Sequence, residues 1–142
     1  GIVCLPAGTS EGMMIKNDHM AFQVSNMDAS IRFYTEALGL KLLFRHVNEE
    51  VQEDYAFLEL DGGNLELLQY LGAPFCKPEI KPPYCPHLAL ATDDMDETLR
   101  LFREHGIPIV KGPLEIPGEE RWVYVSDPDN NVIEYIQWIA GK

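Results

Sequence analysis

The sequence is short of positive charge. Lysine and arginine total 11 against 23 aspartates and glutamates, a formal net charge of −12 over 142 residues. The acids are spread along the whole chain, and a surface of that sign repels phosphate backbones and anionic membranes. Nucleic acid and membrane are therefore not expected as partners. Long apolar runs are also missing, since nothing approaches the roughly 18 residues that a membrane span needs. Gly1 to Ser10 carry a short apolar patch with no basic residue ahead of it, which is not the pattern of a secretory signal. Residues 1–16 are expected to be an N-terminal tail, with Met13 or Met14 a natural start. Cysteine is scarce and odd in number: Cys4, Cys76 and Cys85. An odd count without a signal predicts reduced thiols in a cytoplasmic protein. Cys76 and Cys85 flank a proline-rich stretch, and their spacing matches no zinc pattern.

What is present is a globular composition, 46% apolar and 24% charged, at the length of one domain. The chain also repeats itself. His19-Met20-Ala21-Phe22 matches His87-Leu88-Ala89-Leu90 at an offset of 68 residues, and Leu65-Glu66-Leu67-Leu68-Gln69 matches Ile133-Glu134-Tyr135-Ile136-Gln137 at the same offset. The shift also pairs Met27-Asp28 with Met95-Asp96, Arg32 with Arg100, Glu36 with Glu104 and Asp61 with Asp129. One supersecondary unit is used twice. The halves, residues 17–71 and 86–139, meet at a connection over 72–85, which Pro74, Pro78, Pro82 and Pro83 bar from helix and central strand.

Each half reads as strand, helix and three strands. In the first, Asp18 to Val24 alternates as a strand does. A helix from Met27 or Asp28 to Leu38 buries Ile31, Phe33, Tyr34, Ala37 and Leu38 before Gly39 stops it. Strands follow at Lys41 to Val47, Tyr55 to Leu60 and Leu65 to Tyr70, the last two joined by an Asp61-Gly62-Gly63 turn. The second half gives a strand at Pro86 to Thr92, a helix at Met95 to His105, and strands at Ile107 to Lys111, Arg121 to Ser126 and Val132 to Trp138. The acidic run Glu49, Glu50, Glu53, Asp54 reads as a solvated turn. His46 and His105 read as surface residues and Trp122 as core, while Phe57, Tyr70 and Trp138 fit either core or pocket wall.

Side chains alternate along a strand. Met20, Phe22 and Val24 form the face that a helix covers, which leaves His19, Ala21 and Gln23 on the other. His87, Ala89 and Ala91 fall likewise opposite Leu88 and Leu90. Glu66 shares a face with Leu68 and Tyr70, and Glu134 with Ile136 and Trp138. A lone carboxylate among such neighbours is costly to bury, and a cation removes that cost. Any one of these residues alone would be an ordinary polar side chain. All four, on matching faces of a diverged repeat, predict a site for one divalent metal: His19, Glu66, His87 and Glu134. Two imidazoles and two carboxylates suit Zn, Ni, Co, Mn or Fe(II), with positions left for water or substrate.

These residues resemble the vicinal oxygen chelate superfamily, also called the glyoxalase/bleomycin resistance/dioxygenase family. The stretches that carry the resemblance are His19 to Val24, Ser30 to Tyr34 leading to Leu38-Gly39-Leu40, Pro86 to Leu90, and Ser126 to Glu134. It implies an α+β fold of two βαβββ modules, whose mostly antiparallel eight-stranded sheet is cupped, with the helices outside. It also implies metal ligands at the four positions above, a small-molecule substrate held through adjacent oxygens, and a homodimer. Whether one chain or two supply the ligands of one metal is left open.

The resemblance to glyoxalase I, the closest in ligand set, implies a lyase or isomerase in which Glu134 or Glu66 removes a carbon-bound proton and returns it at the neighbouring carbon. That family typically has an arginine four residues after its first histidine to help bind glutathione. Gln23 stands there, which leaves the thiol open. Three alternatives come with the same resemblance. Extradiol Fe(II) dioxygenases use the equivalents of His19, His87 and Glu134. Methylmalonyl-CoA epimerases typically have Gln at the position of Glu66. Drug-sequestering resistance proteins generally lack the ligands.

Overall fold

The computed structural model describes residues 9–10 and 12–141. Cys4 lies outside them, as does most of the expected tail. Within that tail, Thr9–Ser10 (β1) and Met13–Met14 (β2) form a short antiparallel pair. The first repeat then runs β3 (His19–Gln23), α1 (Met27–Arg32) with a π-helical extension Phe33–Ala37, β4 (Leu42–Asn48), β5 (Glu53–Leu60) and β6 (Gly63–Tyr70). The second runs β7 (His87–Ala91), α2 (Met95–His105), β8 (Ile109–Ile116), β9 (Glu120–Ser126) and β10 (Val132–Trp138). The fold is α+β, and its two modules carry one mixed four-stranded sheet each, ordered β3-β6-β5-β4 and β7-β10-β9-β8. In each sheet the first strand of the module lies parallel to the last, and every other pairing is antiparallel.

The helices start for the same reason in both halves. Asn26 and Asp94 accept hydrogen bonds from the backbone N–H of Ala29 and Glu97, satisfying donors that a helix leaves unpaired at its first turn. A second donor, the N–H of Met27 or Met95, goes to the side-chain oxygen of Gln69 or Gln137, each at 2.9 Å. Those glutamines sit on the closing strands, so the element that carries each glutamate also anchors a helix. α2 ends at Gly106, in the left-handed conformation (φ 64) that glycine adopts without strain. The first helix departs from the expected continuous α-helix. Its last turn widens, so that the Leu38 N–H reaches the Phe33 carbonyl at 3.1 Å. Tyr34, in that turn, is fully buried and reaches the second module.

One core serves both modules. Phe22, Val24, Ala56, Leu58, Leu65 and Leu67 pack with Leu88, Val123, Val125 and Ile133, and with Met27, Tyr34, Met95 and Phe102 from the helices. Each large side chain removed from water stabilises the fold by about 1.5–3 kcal/mol. A polar clamp crosses the same boundary. The Tyr34 hydroxyl donates to Asp127 (2.8 Å), and Ser25 donates through its N–H (2.9 Å) and its hydroxyl to Asp129. The Asn131 amide donates to the Gln23 carbonyl (2.9 Å). Burial pushes the Asp127 carboxyl above its ordinary range, although Asn131 and Tyr34 donate to it.

Other departures have local causes. β5 begins at Glu53, because Asp54 is buried and accepts two bonds from Arg45, Nε at 3.1 Å and Nη2 at 2.7 Å. Part of the acidic run is thus an internal ion pair rather than a solvated turn. β8 runs to Ile116 instead of ending at Lys111. It absorbs Gly112 (φ 104) and Pro113 at a register shift, which an edge strand tolerates. Among the described residues no helix is long and apolar enough to cross a membrane.

The clamp gives a stability prediction. Tyr34→Phe keeps the packed ring and removes one buried bond to a carboxylate, so urea unfolding should show a loss of about 1.5–3 kcal/mol. A loss below half a kcal/mol would mean that the Tyr34–Asp127 bond contributes little.

Candidate metal centre

The parallel register builds the site twice. In the first sheet Ala21 is opposite Glu66, and His19 is two residues before Ala21 on the same face. The His19 ring leans across to Glu66, with Nε2 3.6 Å from Oε1. In the second sheet Ala89 is opposite Glu134, and His87 Nε2 comes 3.1 Å from Glu134 Oε1. The small alanines leave room beside each pair.

The other ring nitrogen of each histidine decides the chemistry. His19 Nδ1 is 2.6 Å from Asp18 Oδ2, and His87 Nδ1 is 3.0 Å from the Tyr84 carbonyl oxygen. A carbonyl and an ionised carboxylate only accept, so both Nδ1 atoms carry the proton. In the neutral ring Nε2 is then a bare lone pair, and it faces a carboxylate oxygen. Two acceptors face each other in each module, an arrangement that only a shared proton or a cation satisfies. Glu66 adds to the demand: burial raises its carboxyl above the ordinary range, outweighing the opposing effect of His19, and nearby Glu53 adds a little to the rise. Neutral imidazole nitrogens and carboxylates are the donor set of a borderline divalent ion, so these residues fit one.

The structure brings His19 together with Glu66 and His87 together with Glu134. It does not bring the pairs together: among the described residues no three of His, Cys, Asp and Glu lie close enough to hold a metal. Each module presents one His–Glu pair, a candidate half-site.

Aromatic rings surround both halves. Phe57 meets the His19 ring edge-on at 5.0 Å, and Phe44 stacks on Phe57 at 5.0 Å. Tyr124 meets His87 at 5.5 Å and Tyr84 at 4.9 Å. Burial and the charge of Glu134 raise the Tyr124 hydroxyl above its usual range. Trp122, expected in the core, is half-buried. It pairs with Ile136 and so shares the face of Glu134, because β9 alternates around Val123 and Val125, which take the core positions. Tyr70 and Trp138 are exposed. His46 and His105 are exposed as expected, and the His46 ring meets Tyr55 at 5.7 Å. Cys76 and Cys85 are free and exposed, with Cys85 Sγ 3.8 Å from His87 Nδ1.

Sequence reasoning missed Asp18, Tyr84 and Tyr124. Asp18 was readable as an acid directly before His19. The Tyr84 contribution is a backbone carbonyl, presented from a left-handed residue (φ 67), and no residue-type pattern reveals it.

The glyoxalase/bleomycin resistance protein/dioxygenase superfamily model matches residues 16–135. The chain belongs to this superfamily. A lactoylglutathione lyase from Haemophilus influenzae is 32% identical over 125 residues, covering 84% of this chain and 90% of the relative. The trypanothione-dependent glyoxalase I of Leishmania major superposes with a TM-score of 0.67 at 29% identity, covering 84% of each chain. An antibiotic-binding protein from a Streptomyces strain superposes with a TM-score of 0.68 at 26% identity, covering 88% of this chain and 97% of that one. The lactoylglutathione lyase and glyoxalase I likenesses support an enzyme of glyoxalase type.

The burial of Glu66 has a measurable consequence. A carboxyl raised in the fold contributes stability that is fully present below its unfolded pKa and is lost as pH rises through the folded value. In metal-free protein, Glu66→Gln should therefore raise the melting temperature at pH 7 by about 1–2 °C. The gain should vanish near pH 4, as the wild-type carboxyl protonates. A variant that melts lower than wild type at pH 7 would refute the account.

Proposed function

We propose that the chain is a divalent-metal-dependent enzyme of the glyoxalase type, a lyase or isomerase acting on a small molecule with adjacent oxygens. The observation that carries this reading is the pair of His–Glu contacts in which lone pair faces lone pair, His19 with Glu66 and His87 with Glu134. The identity to a lactoylglutathione lyase supports the reaction class. An ion held by these four side chains (Zn, Ni, Co, Mn or Fe(II)) supplies Lewis acidity, lowering the cost of negative charge on a substrate oxygen. Glu134 and Glu66 are the proton carriers: one takes a proton from carbon and returns it to the adjacent carbon. Asp18 and the Tyr84 carbonyl hold the two imidazoles with Nε2 free, and the rings of Phe57 and Tyr124 pack against them edge-on.

A metal needs more ligands than either half-site offers. We infer that module one of one chain meets module two of a second copy, so that a homodimer holds two metals. Complementation tests this. His19→Ala and His87→Ala are each expected to abolish metal uptake, against about one ion per chain in the wild type. After unfolding and refolding a mixture of the two variants, sites shared between chains recover to about a quarter of the full number. Sites built within one chain recover none.

A second reading is sequestration of an aromatic drug, favoured by Phe44, which is 49% exposed beside Phe57, and by the likeness to an antibiotic-binding protein. Metal analysis with turnover separates the two. Stoichiometric metal together with conversion of an oxoaldehyde–thiol adduct supports the enzyme. A metal-free protein that binds aromatic drugs supports sequestration.

A further inference from the structure

We propose that Asp18 is a positioning residue for the metal: it fixes the ring of His19 and strengthens that histidine as a ligand. This rests on the metal reading above.

The two histidines face one problem in different surroundings. His87 has a side chain only 18% exposed, against 36% for His19. The Tyr84 carbonyl holds its Nδ1, and Tyr124, itself packed on Tyr84, meets its ring. Both histidines sit on edge strands, β3 and β7, but His19 is the more exposed, and the ring contact from Phe57 is its aromatic support. A ring so placed turns readily unless a polar partner holds it. Asp18 is that partner, at 2.6 Å. The Asp18 backbone is itself pinned, since its carbonyl accepts from the Asn64 N–H at 2.9 Å. The preceding residue is tied as well, through the Asn17 amide to the Gly62 carbonyl at 2.9 Å. The carboxylate is 80% exposed, so its place beside the ring is not a by-product of core packing.

The repeat sharpens the point. The residue equivalent to Asp18 in the second half is Pro86, which brings no side-chain acceptor. The contact is therefore not part of the duplicated pattern. A charged acceptor on Nδ1 fixes the tautomer with Nε2 free and makes that nitrogen a better donor to a cation. A neutral carbonyl does the same more weakly. The first module thus becomes the stronger half-site.

The test compares Asp18→Ala and Asp18→Asn with the wild type, stripped of metal and titrated with Zn against a chromophoric chelator. Asp18→Ala should lose metal affinity by about 10- to 100-fold. Asp18→Asn keeps an oxygen acceptor without the charge and should lose clearly less. Nitrogen NMR of the metal-free proteins should show His19 as a single Nδ1–H tautomer in the wild type and as a mixture in Asp18→Ala, with His87 unchanged in both. Equal losses in the two variants would point to bulk charge alone and overturn the proposal. So would wild-type affinity with an unchanged tautomer in Asp18→Ala. A wild type that takes up no metal would instead overturn the reading on which the proposal rests.

Discussion

The parallel pairing of the first strand of each module with its last is the constraint on which the rest depends. Parallel strands require a long crossover, and here the crossover holds the helix and two further strands, so the pairing closes the whole module. The register then does two jobs. It turns Phe22, Val24, Leu65 and Leu67 toward the helix, and with the opposite parity it turns His19 and Glu66 toward each other. A slip of one residue would invert both faces at once. Core and candidate site are two sides of one hydrogen-bonded ladder, fixed by the burial of one of them.

Much of this was legible in the sequence, because a duplicated pattern is read twice. The alternation around His19 and His87 and the glutamates 47 residues after each histidine follow from strand periodicity and a common offset. What was not legible depends on partners distant in sequence or on the backbone. Asp54 looks like part of a solvated acidic loop until Arg45 is seen to reach it. Trp122 looks like core until the bulged β8 and the parity of β9 put it on the open face. The widened end of the first helix has no marker in the sequence, since Phe33 to Ala37 would continue an α-helix equally well.

The two His–Glu pairs carry a tension. Each module holds a largely buried carboxylate beside an imidazole and sets their acceptors against one another. Left alone, that is a local defect. The defect is tolerable because the apolar core beneath is large and continuous, and because Asp18 and Tyr84 hold the rings at their far nitrogens. In the proposed reading, local polar chemistry that is unfavourable for the fold by itself is what a bound cation would relieve.

The clamp between the modules runs one way. Asp127, Asp129 and Asn131 of the second half grip Tyr34, Ser25 and Gln23 of the first. By the repeat, the counterparts are Glu59, Asp61 and Gly63 in the first half and Phe102, Asp93 and Ala91 in the second; Phe102 lacks the hydroxyl of Tyr34, Asp93 that of Ser25, and Gly63 the side-chain amide of Asn131. Two copies that met through identical surfaces would form such a lock twice. Here one set of contacts and the covalent connection between the modules hold the halves together, so the two halves are not exchangeable parts.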